Sequence, residues 1–328
     1  MKTQILGIGH ALPPKVLTNN ELEKMVDTTE EWIIERTGIR ERRIADNNTA
    51  TSDLSYQASL MALERSGISA EEIDLIIVGT LTPDMLLPST ACFVQDKLGA
   101  INAAAFDVAA GCTGFVYALT TAKKFLQSPQ YKYALVIGGE VLSCVTDYAD
   151  RNTCVLFGDG AGAVVLGKGS GDSGIINTYL GADGSGAKHL YVPAGGSRMP
   201  ASLQTVNDRM HFMRMNGNEI FRFATRITLE ISNKLLEMAG LDYKDVDIFI
   251  PHQSNLRIIK TAMKRMKIPE EKTLINIRDF GNMSAACIPV GLSLAEQEGR
   301  LNPGDLVLMV AFGGGLTYGG ALVRWGRD

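Results

Sequence analysis

The sequence has no C-x-x-C pair, and its five cysteines, Cys92, Cys112, Cys144, Cys154 and Cys287, are an odd number. Neither a disulfide framework nor a zinc site is suggested, so no metal is expected. Nowhere do ~18 apolar residues run together, so nothing reads as a membrane span. The opening "MKTQILGIGHALPP" holds one lysine and an apolar run that stops at Pro13, too brief for a signal peptide. The expectation is a cytoplasmic protein without a membrane partner. Positive charge is not in excess either: 32 Lys and Arg against 36 Asp and Glu give a formal net charge of -4, and with it no general attraction to nucleic acid. Any anionic partner must be met by a local basic patch. Histidine is scarce, at four residues, which narrows the search for acid–base chemistry.

What is present is the composition of a globular chain, 45% apolar and 21% charged, with 328 residues available for two domains or one fused core. Apolar β-rich runs such as "IDLIIVGT", "AAAFDVAA", "YALVIGGE", "VDIFIP" and "DLVLMVAF" alternate with helical patterns. In Ser52 to Arg65, for example, Leu54, Ala58, Met61 and Ala62 fall at i, i+4, i+7 and i+8. Such alternation predicts an α/β fold with largely buried strands. The halves also echo one another: Asp74 matches Asp247 after 173 residues, Cys112 matches Ser284 after 172, and Gly138 matches Gly313 after 175. A near-constant offset predicts an internal duplication, with a boundary in "GKGSGDSG" that divides the chain into 1–172 and 173–328.

In "VAAGCTGFVYAL" a buried strand gives way to a helix whose apolar face is Phe115, Leu119, Ala122 and Leu126. Cys112 then lies within a turn of a helix N-terminus, where free N–H groups and the macrodipole lower a thiol pKa. The position favours a nucleophile; a buried structural cysteine is the alternative, and it is the preferred reading of Cys92, Cys144, Cys154 and Cys287. Among the histidines only His252 follows a strand end and precedes a helix, where α/β folds place their sites. His10, His189 and His211 read as surface or satisfied structural residues. The repeat sets "DFGNMSAAC" in the place of "AAGCTG", which points Asn282 at the same centre. Its amide could donate to a developing oxyanion, although a turn or helix-cap asparagine is the alternative.

Cys112 in "DVAAGCTGF", His252 in "PHQSN" and Asn282 in "GNMSAA", in that order, closely resemble the β-ketoacyl-acyl carrier protein synthase III family of the thiolase superfamily. The blocks "TTEEWIIERTGIRERRIA", "DRNTCVLFGDGAGAVVL", "MNGNEIFRFA" and "FGGGLTYGGALVRW" extend the resemblance nearly end to end. It implies a duplicated thiolase-like fold, five-layered αβαβα, normally a homodimer. It also implies a ping-pong condensation that starts fatty acid synthesis. Cys112 would take an acyl group from acyl-CoA, and malonyl-acyl carrier protein would then lose CO2 with its enolate held by His252 and Asn282. CoA thioesters enter as substrates and no cofactor is implied. The backbone N–H groups of Cys112 and Gly314 would form the oxyanion hole. Elongating synthases carry two histidines and degradative thiolases a second cysteine near the C-terminus, and neither pattern is found here.

The same resemblance assigns the CoA site to Trp32 and Arg151, sandwiching the adenine, with Thr28, Arg36, Gly217 and Asn255 along the nucleotide and pantetheine path. It assigns Phe157 and Phe221 to walls near the thiol, and Leu87 to a position that reaches the partner subunit's acyl pocket. Family members often have phenylalanine where Leu87 stands, so acyl groups larger than acetyl are expected here. The long segment 194–214 could shape that pocket too. Met283 replaces a common threonine, which should change packing beside Asn282 and spare its amide. Arg257, Lys260, Lys264 and Lys267 recur at i, i+3, i+7 and i+10 on one helix face, and with Arg222 and Arg265 they form the expected docking patch for an acidic carrier protein.

Overall fold

The computed structural model describes residues 2–327. Nine strands build two main sheets: β1 (Lys2–Ala11), β2 (Leu75–Gly79), β3 (Ala104–Val108), β4 (Ala134–Glu140) and β5 (Gly160–Gly169) form the first, in the order β1-β5-β4-β2-β3. The second contains β6 (Gly174–Ala182), β7 (Ile248–Pro251), β8 (Leu306–Gly313) and β9 (Thr317–Arg324), in the order β6-β9-β8-β7. The two orders are the same walk across a sheet, with parallel pairing of β2 with β4 and of β7 with β8, and antiparallel pairing of the remaining equivalents. The first sheet's fifth strand has a remnant in the second, where Thr273 forms a single parallel bridge to Phe249.

Sheet register sharpens the repeat. Leu75 pairs with Ala134 and Ile248 with Val307, so one offset of 173 relates both strands of each pair. Asp74 accepts from the N–H of Tyr133 at 3.0 Å, and Asp247 from that of Leu306 at 2.9 Å, the same tie at the same offset. Gly111 and Ser284 each open a 3₁₀ turn at positive φ, 55° and 48°. By that register Cys112 corresponds to Ala285, not to Ser284, and Gly138 to Ala311, not to Gly313. Matching residue types instead of backbone geometry had shifted both pairs.

Helix α1 (Glu30–Thr37) stands apart from the layers, against the mouth of the site. Helices α2 (Thr51–Ser66) and α3 (Thr90–Leu98) cover the outer face of the first sheet through Leu54, Ala58, Ala62, Ala91 and Val94. Helices α4 (Gly114–Phe125) and α7 (Cys287–Gln297) lie between the sheets, sharing one core with Ile77, Val136, Ile250 and Met309. Helices α5 (Gly217–Ala239) and α6 (Leu256–Met266) cover the outer face of the second sheet. The five layers are thus αβαβα, and the middle core draws on both halves of the chain. The face of α4 read from sequence is Phe115, Leu119, Ala122 and Leu126, and all four are buried. Burying a Leu or Phe side chain is worth about 1.5–3 kcal/mol, so Leu119→Ala would unseat the helix that carries the thiol turn. Among the described residues no helix is long and apolar enough to cross a membrane.

Of the cysteines expected to be structural, Cys154 and Cys287 are buried but Cys92 and Cys144 are exposed. Cys92 falls in the first turn of α3 on its outer side, and Cys144 in the turn after β4, where the alternating burial of the strand has ended. His10 bonds Ser293 Oγ through Nδ1 at 2.8 Å, and His211 Nε2 lies 2.9 Å from Thr205 Oγ1.

Candidate active site

Equivalent turns from the two halves meet between the sheets. Gly111 packs its Cα against Gly314, and a Cβ there would stand 2.9 Å from Gly314 N. A Cβ on Gly313 would lie 2.5 Å from the Cys112 N. Only glycine allows the end of β8 to close on the thiol turn this tightly. Cys112 follows in the 3₁₀ turn, 8% exposed, with the backbone N–H groups of Cys112 and Gly314 among the groups that favour its thiolate.

His252 follows β7, its backbone N–H donating to Val310 at 2.8 Å, and its ring meets Phe312 edge-on at 5.3 Å. Nδ1 is sealed away without a partner, so Nε2 is the nitrogen able to meet a ligand. Asn282 is anchored by its N–H to Leu156 at 2.8 Å and by its carbonyl, which accepts from Gly158 at 3.0 Å. Its Oδ1 accepts from the N–H of Ser284 at 2.8 Å, with Cys287 Sγ a further 3.8 Å contact. Met283 turns away from the site into a cluster with Ala286, Cys287 and Val290.

Cys112, His252 and Asn282 line one cavity of about 300 Å³ that runs past Phe157, Phe221, Gly217 and Asn255 to Arg36 and Trp32. A second cavity, of about 200 Å³, opens on the other side of Cys112 between Leu81, Leu142, Leu190, Val192 and Met213. Phe157 borders both. Phe221 borders the long one only, where it is a wall near the thiol and not of the second cavity, with the Arg257 guanidinium 5.5 Å from its ring centre. Leu87 borders neither and is 84% exposed beside Leu86, at the tip of a loop that points out of its own chain. Thr28 is also absent from the lining, with a buried hydroxyl that has no partner.

Asn255 does more than border the tunnel, since it caps α6 through Oδ1 to Arg257 N and donates through Nδ2 to the Arg36 carbonyl at 2.9 Å. Trp32 and Arg151 face one another with the guanidinium carbon 4.6 Å from the ring centre. A flat base between them needs ~7 Å, two contacts of ~3.5 Å, so the guanidinium itself fills the expected adenine slot. Arg151 is held there by the Asp27 carbonyl at 2.7 Å. On α6, Arg257, Lys260, Lys264 and Arg265 are exposed and, among the described residues, form no ion pair, and Lys260, Lys264 and Lys267 border one shallow depression. Arg222 is on α5, engaged by Glu219 at 2.9 Å.

Electrostatics depart from the sequence expectation. Burial pushes the Cys112 thiol up to about 12, assisted by the charge of Glu140 and opposed by Ser284 and the two N–H groups. The helix starts only at Gly114, so its dipole does not outweigh desolvation. Burial also drives His252 down to about 3, leaving a neutral imidazole. Glu140 is raised to about 7 by burial, although one oxygen accepts from Thr80, Thr82 and two backbone N–H groups. From sequence Glu140 has no site role, and Ser284 enters only as a repeat counterpart of Cys112. Glu140 lies 28 positions from Cys112, and its charge reaches the thiol only when β4 and the thiol turn pack together. Leu142 and Met213 were missed for the same reason, although 194–214 was flagged as a segment.

The chain matches the family model described as 3-oxoacyl-[acyl-carrier-protein] synthase III over residues 106–184, and the model of its C-terminal part over 236–325. A β-ketoacyl-[acyl-carrier-protein] synthase III of Syntrophomonas wolfei is 71% identical over 100% of this chain and 99% of its own. The crystal structure of 3-oxoacyl-[acyl-carrier-protein] synthase III from Aquifex aeolicus superposes with a TM-score of 0.92 at 46% identity, covering 98% of this chain and 100% of that one. The priming β-ketosynthase of the R1128 polyketide pathway superposes at 0.92 with 36% identity, over 100% and 97%. Likeness of this extent, on a thiolase fold whose two halves meet at one cysteine, places the chain in the 3-oxoacyl-[acyl-carrier-protein] synthase III family.

Proposed function

We infer that the residues gathered at Cys112 carry out the condensation for which the family is named: acyl-CoA and malonyl-acyl carrier protein give β-ketoacyl-acyl carrier protein, CO2 and CoA, opening fatty acid synthesis. In the first half-reaction Cys112 Sγ bonds to the acyl carbon, the bond to the CoA sulfur breaks, and the thiol proton ends on the departing CoA. The carbonyl oxygen would be held by the N–H groups of Cys112 and Gly314, on two turns whose glycines pack against each other. In the second, malonyl loses CO2, and the enolate oxygen meets two neutral donors, His252 Nε2 and Asn282 Nδ2. The carbanion attacks the acyl carbon, and the released thiolate takes up one proton. The balance needs no cofactor beyond the thioester substrates.

The observation that carries this reading is a thiol between two cavities, one long and open to the surface, the other short and lined by aliphatic side chains. Pantetheine fits the first and an acyl chain the second. The test is intact-protein mass spectrometry after exposure to mixed acyl-CoAs. One acyl adduct, lost in Cys112→Ala and discharged by malonyl-acyl carrier protein, is expected; no adduct on the wild type overturns the reading. With leucine at position 87, C4 to C6 primers should load better than acetyl, and preference for acetyl over all of them refutes that part.

The exposed Leu86, Leu87 and Leu203 support a homodimer, in which one chain's loop reaches its partner. The cytoplasm is the proposed location. The basic face of α6 supports docking of the acidic carrier, so paired Lys260→Glu and Lys264→Glu changes should raise KM for the carrier substrate and flatten its salt dependence, leaving acyl-CoA loading intact. Likeness to a polyketide priming ketosynthase favours one second reading, the same chemistry feeding another pathway. Comparing fatty acid and polyketide carrier proteins as acceptors separates the two.

A further inference from the structure

The oxyanion hole depends on two N–H groups from separate turns, Cys112 before α4 and Gly314 after β8, and nothing covalent fixes their separation. The side chains between these turns are two threonines. Thr317 Oγ1 lies 2.7 Å from the Ala110 carbonyl and 3.1 Å from the Gly314 carbonyl, one on each turn. Thr113 Oγ1 lies 2.8 Å from Thr317 Oγ1 and 2.5 Å from the same Ala110 carbonyl. Thr113 donates to Thr317 Oγ1 and Thr317 donates to the Ala110 carbonyl, so both hydrogen bonds cross from one turn to the other. Thr113 is fully buried and Thr317 half-buried, so water competes weakly for these bonds.

We propose that Thr317, coupled to Thr113, is a positioning residue that staples the Gly314 turn to the cysteine turn and so sets the spacing of the two oxyanion donors. This rests on the condensing activity inferred above and deepens it. The threonines touch no substrate; they act through backbone. Without the Thr317 hydroxyl both hydrogen bonds that cross between the turns are lost, and the peptide carrying Gly314 N is free to shift away from the acyl oxygen. Donor placement within a few tenths of an ångström decides oxyanion stabilisation, so loss of the staple should be read in the rate of acyl transfer and not in binding of CoA.

The experiment compares wild type, Thr317→Val, Thr317→Ser, Thr113→Val and the double valine variant, using pre-steady-state acylation of Cys112 by acyl-CoA and separate titration with CoA. Valine keeps the branched shape and removes the hydroxyl. Thr317→Val should slow acylation about 10- to 100-fold, less than the roughly 10²–10³ for outright loss of a donor, with unchanged affinity for CoA. Thr317→Ser should recover most of the rate, and the double variant should be no slower than Thr317→Val, because the two hydroxyls act as one unit. Normal acylation in Thr317→Val, a loss that serine does not rescue, or a parallel fall in CoA affinity overturns the staple. If the wild type itself is not acylated, the condensing function fails instead, and the two failures are distinct. Thermal unfolding of each variant separates a rate effect in a folded protein from loss of fold.

Discussion

Asn282 Oδ1 accepts the backbone N–H of Ser284 at 2.8 Å, which commits the oxygen of this amide and leaves Nδ2 as the group offered to the cavity. The contact spans two residues and depends on Ser284 standing at φ 48°, so the turn that begins α7 also orients the amide. Asn282→Ala should load Cys112 normally yet decarboxylate malonyl-acyl carrier protein about 100-fold more slowly, as for loss of one oxyanion donor. Asn282→Asp retains an acceptor for Ser284, lacks the donor and adds negative charge, so its CO2 release should be slower still. Radiolabelled CO2 release checks both, and faster release by Asp than by Ala would remove Nδ2 from the mechanism.

His252 is neutral across the working pH range because it is buried, with no acid to hold a proton on it. Its folded-state value of about 3 lies below the ordinary 6.5. The stability tied to this neutral state is therefore present above pH 6.5 and is lost as pH falls toward 3, since the unfolded chain binds the proton first. Ring signals in NMR should show no titration of His252 between pH 5 and 8, and the rate of malonyl decarboxylation should carry no inflection from it there. A His252 signal titrating near 6.5 would mean the ring is solvated and the two-neutral-donor scheme is wrong.

Glu140 places a buried carboxyl beside the nucleophile, with Cys144, Cys287 and Ser284 also within electrostatic reach of it. Since its value is raised from 4.5 to about 7, it ionises as pH rises through neutrality, and the new charge opposes thiolate at Cys112. Alkylation of Cys112 by iodoacetamide should therefore climb less steeply above pH 7 in the wild type than in Glu140→Gln. Stability runs in the same direction: a carboxyl raised on folding contributes below 4.5 and loses that contribution as pH passes 7. The melting temperature of Glu140→Gln relative to wild type should thus rise between pH 5 and pH 9. Parallel alkylation profiles for the two proteins would show that Glu140 is not coupled to the thiol.

Such couplings mark what the sequence leaves unread. The strand and helix pattern, the duplication, and the candidacy of Cys112, His252 and Asn282 follow from local periodicity and the placement of turn residues, because each depends on neighbours in the chain. The acidity of Cys112 does not. A helix N-terminus argues for a lowered value, but desolvation at a site between two sheets is a property of the packed molecule and it dominates. Phe221 and Phe157 resemble each other as aromatic residues near the thiol; only the course of α5 puts one in the tunnel and the other between both cavities. The second cavity, with Leu142, Leu190 and Met213, is assembled from segments whose contacts no single stretch encodes.

Arg151 rests on Trp32 at 4.6 Å and reaches the Asp27 carbonyl, so the adenine subsite expected between them is filled by the guanidinium. Binding CoA by that route requires the guanidinium to leave the ring and be replaced by the base, exchanging one stack for another. The net gain is then small for the isolated contact, and the pair contributes through the cost of separating it and the contacts regained. Arg151→Ala opens the slot but removes one wall, and Trp32→Ala removes the platform altogether. Trp32→Ala should therefore raise KM for acyl-CoA about tenfold, ~1.4 kcal/mol, and Arg151→Ala by less. Neither should change the loading of Cys112 from an acyl-pantetheine, which lacks the nucleotide. Steady-state kinetics on the two thioesters checks this, and an equal rise in KM for both would show that the pair acts on the fold of the tunnel and not on the base.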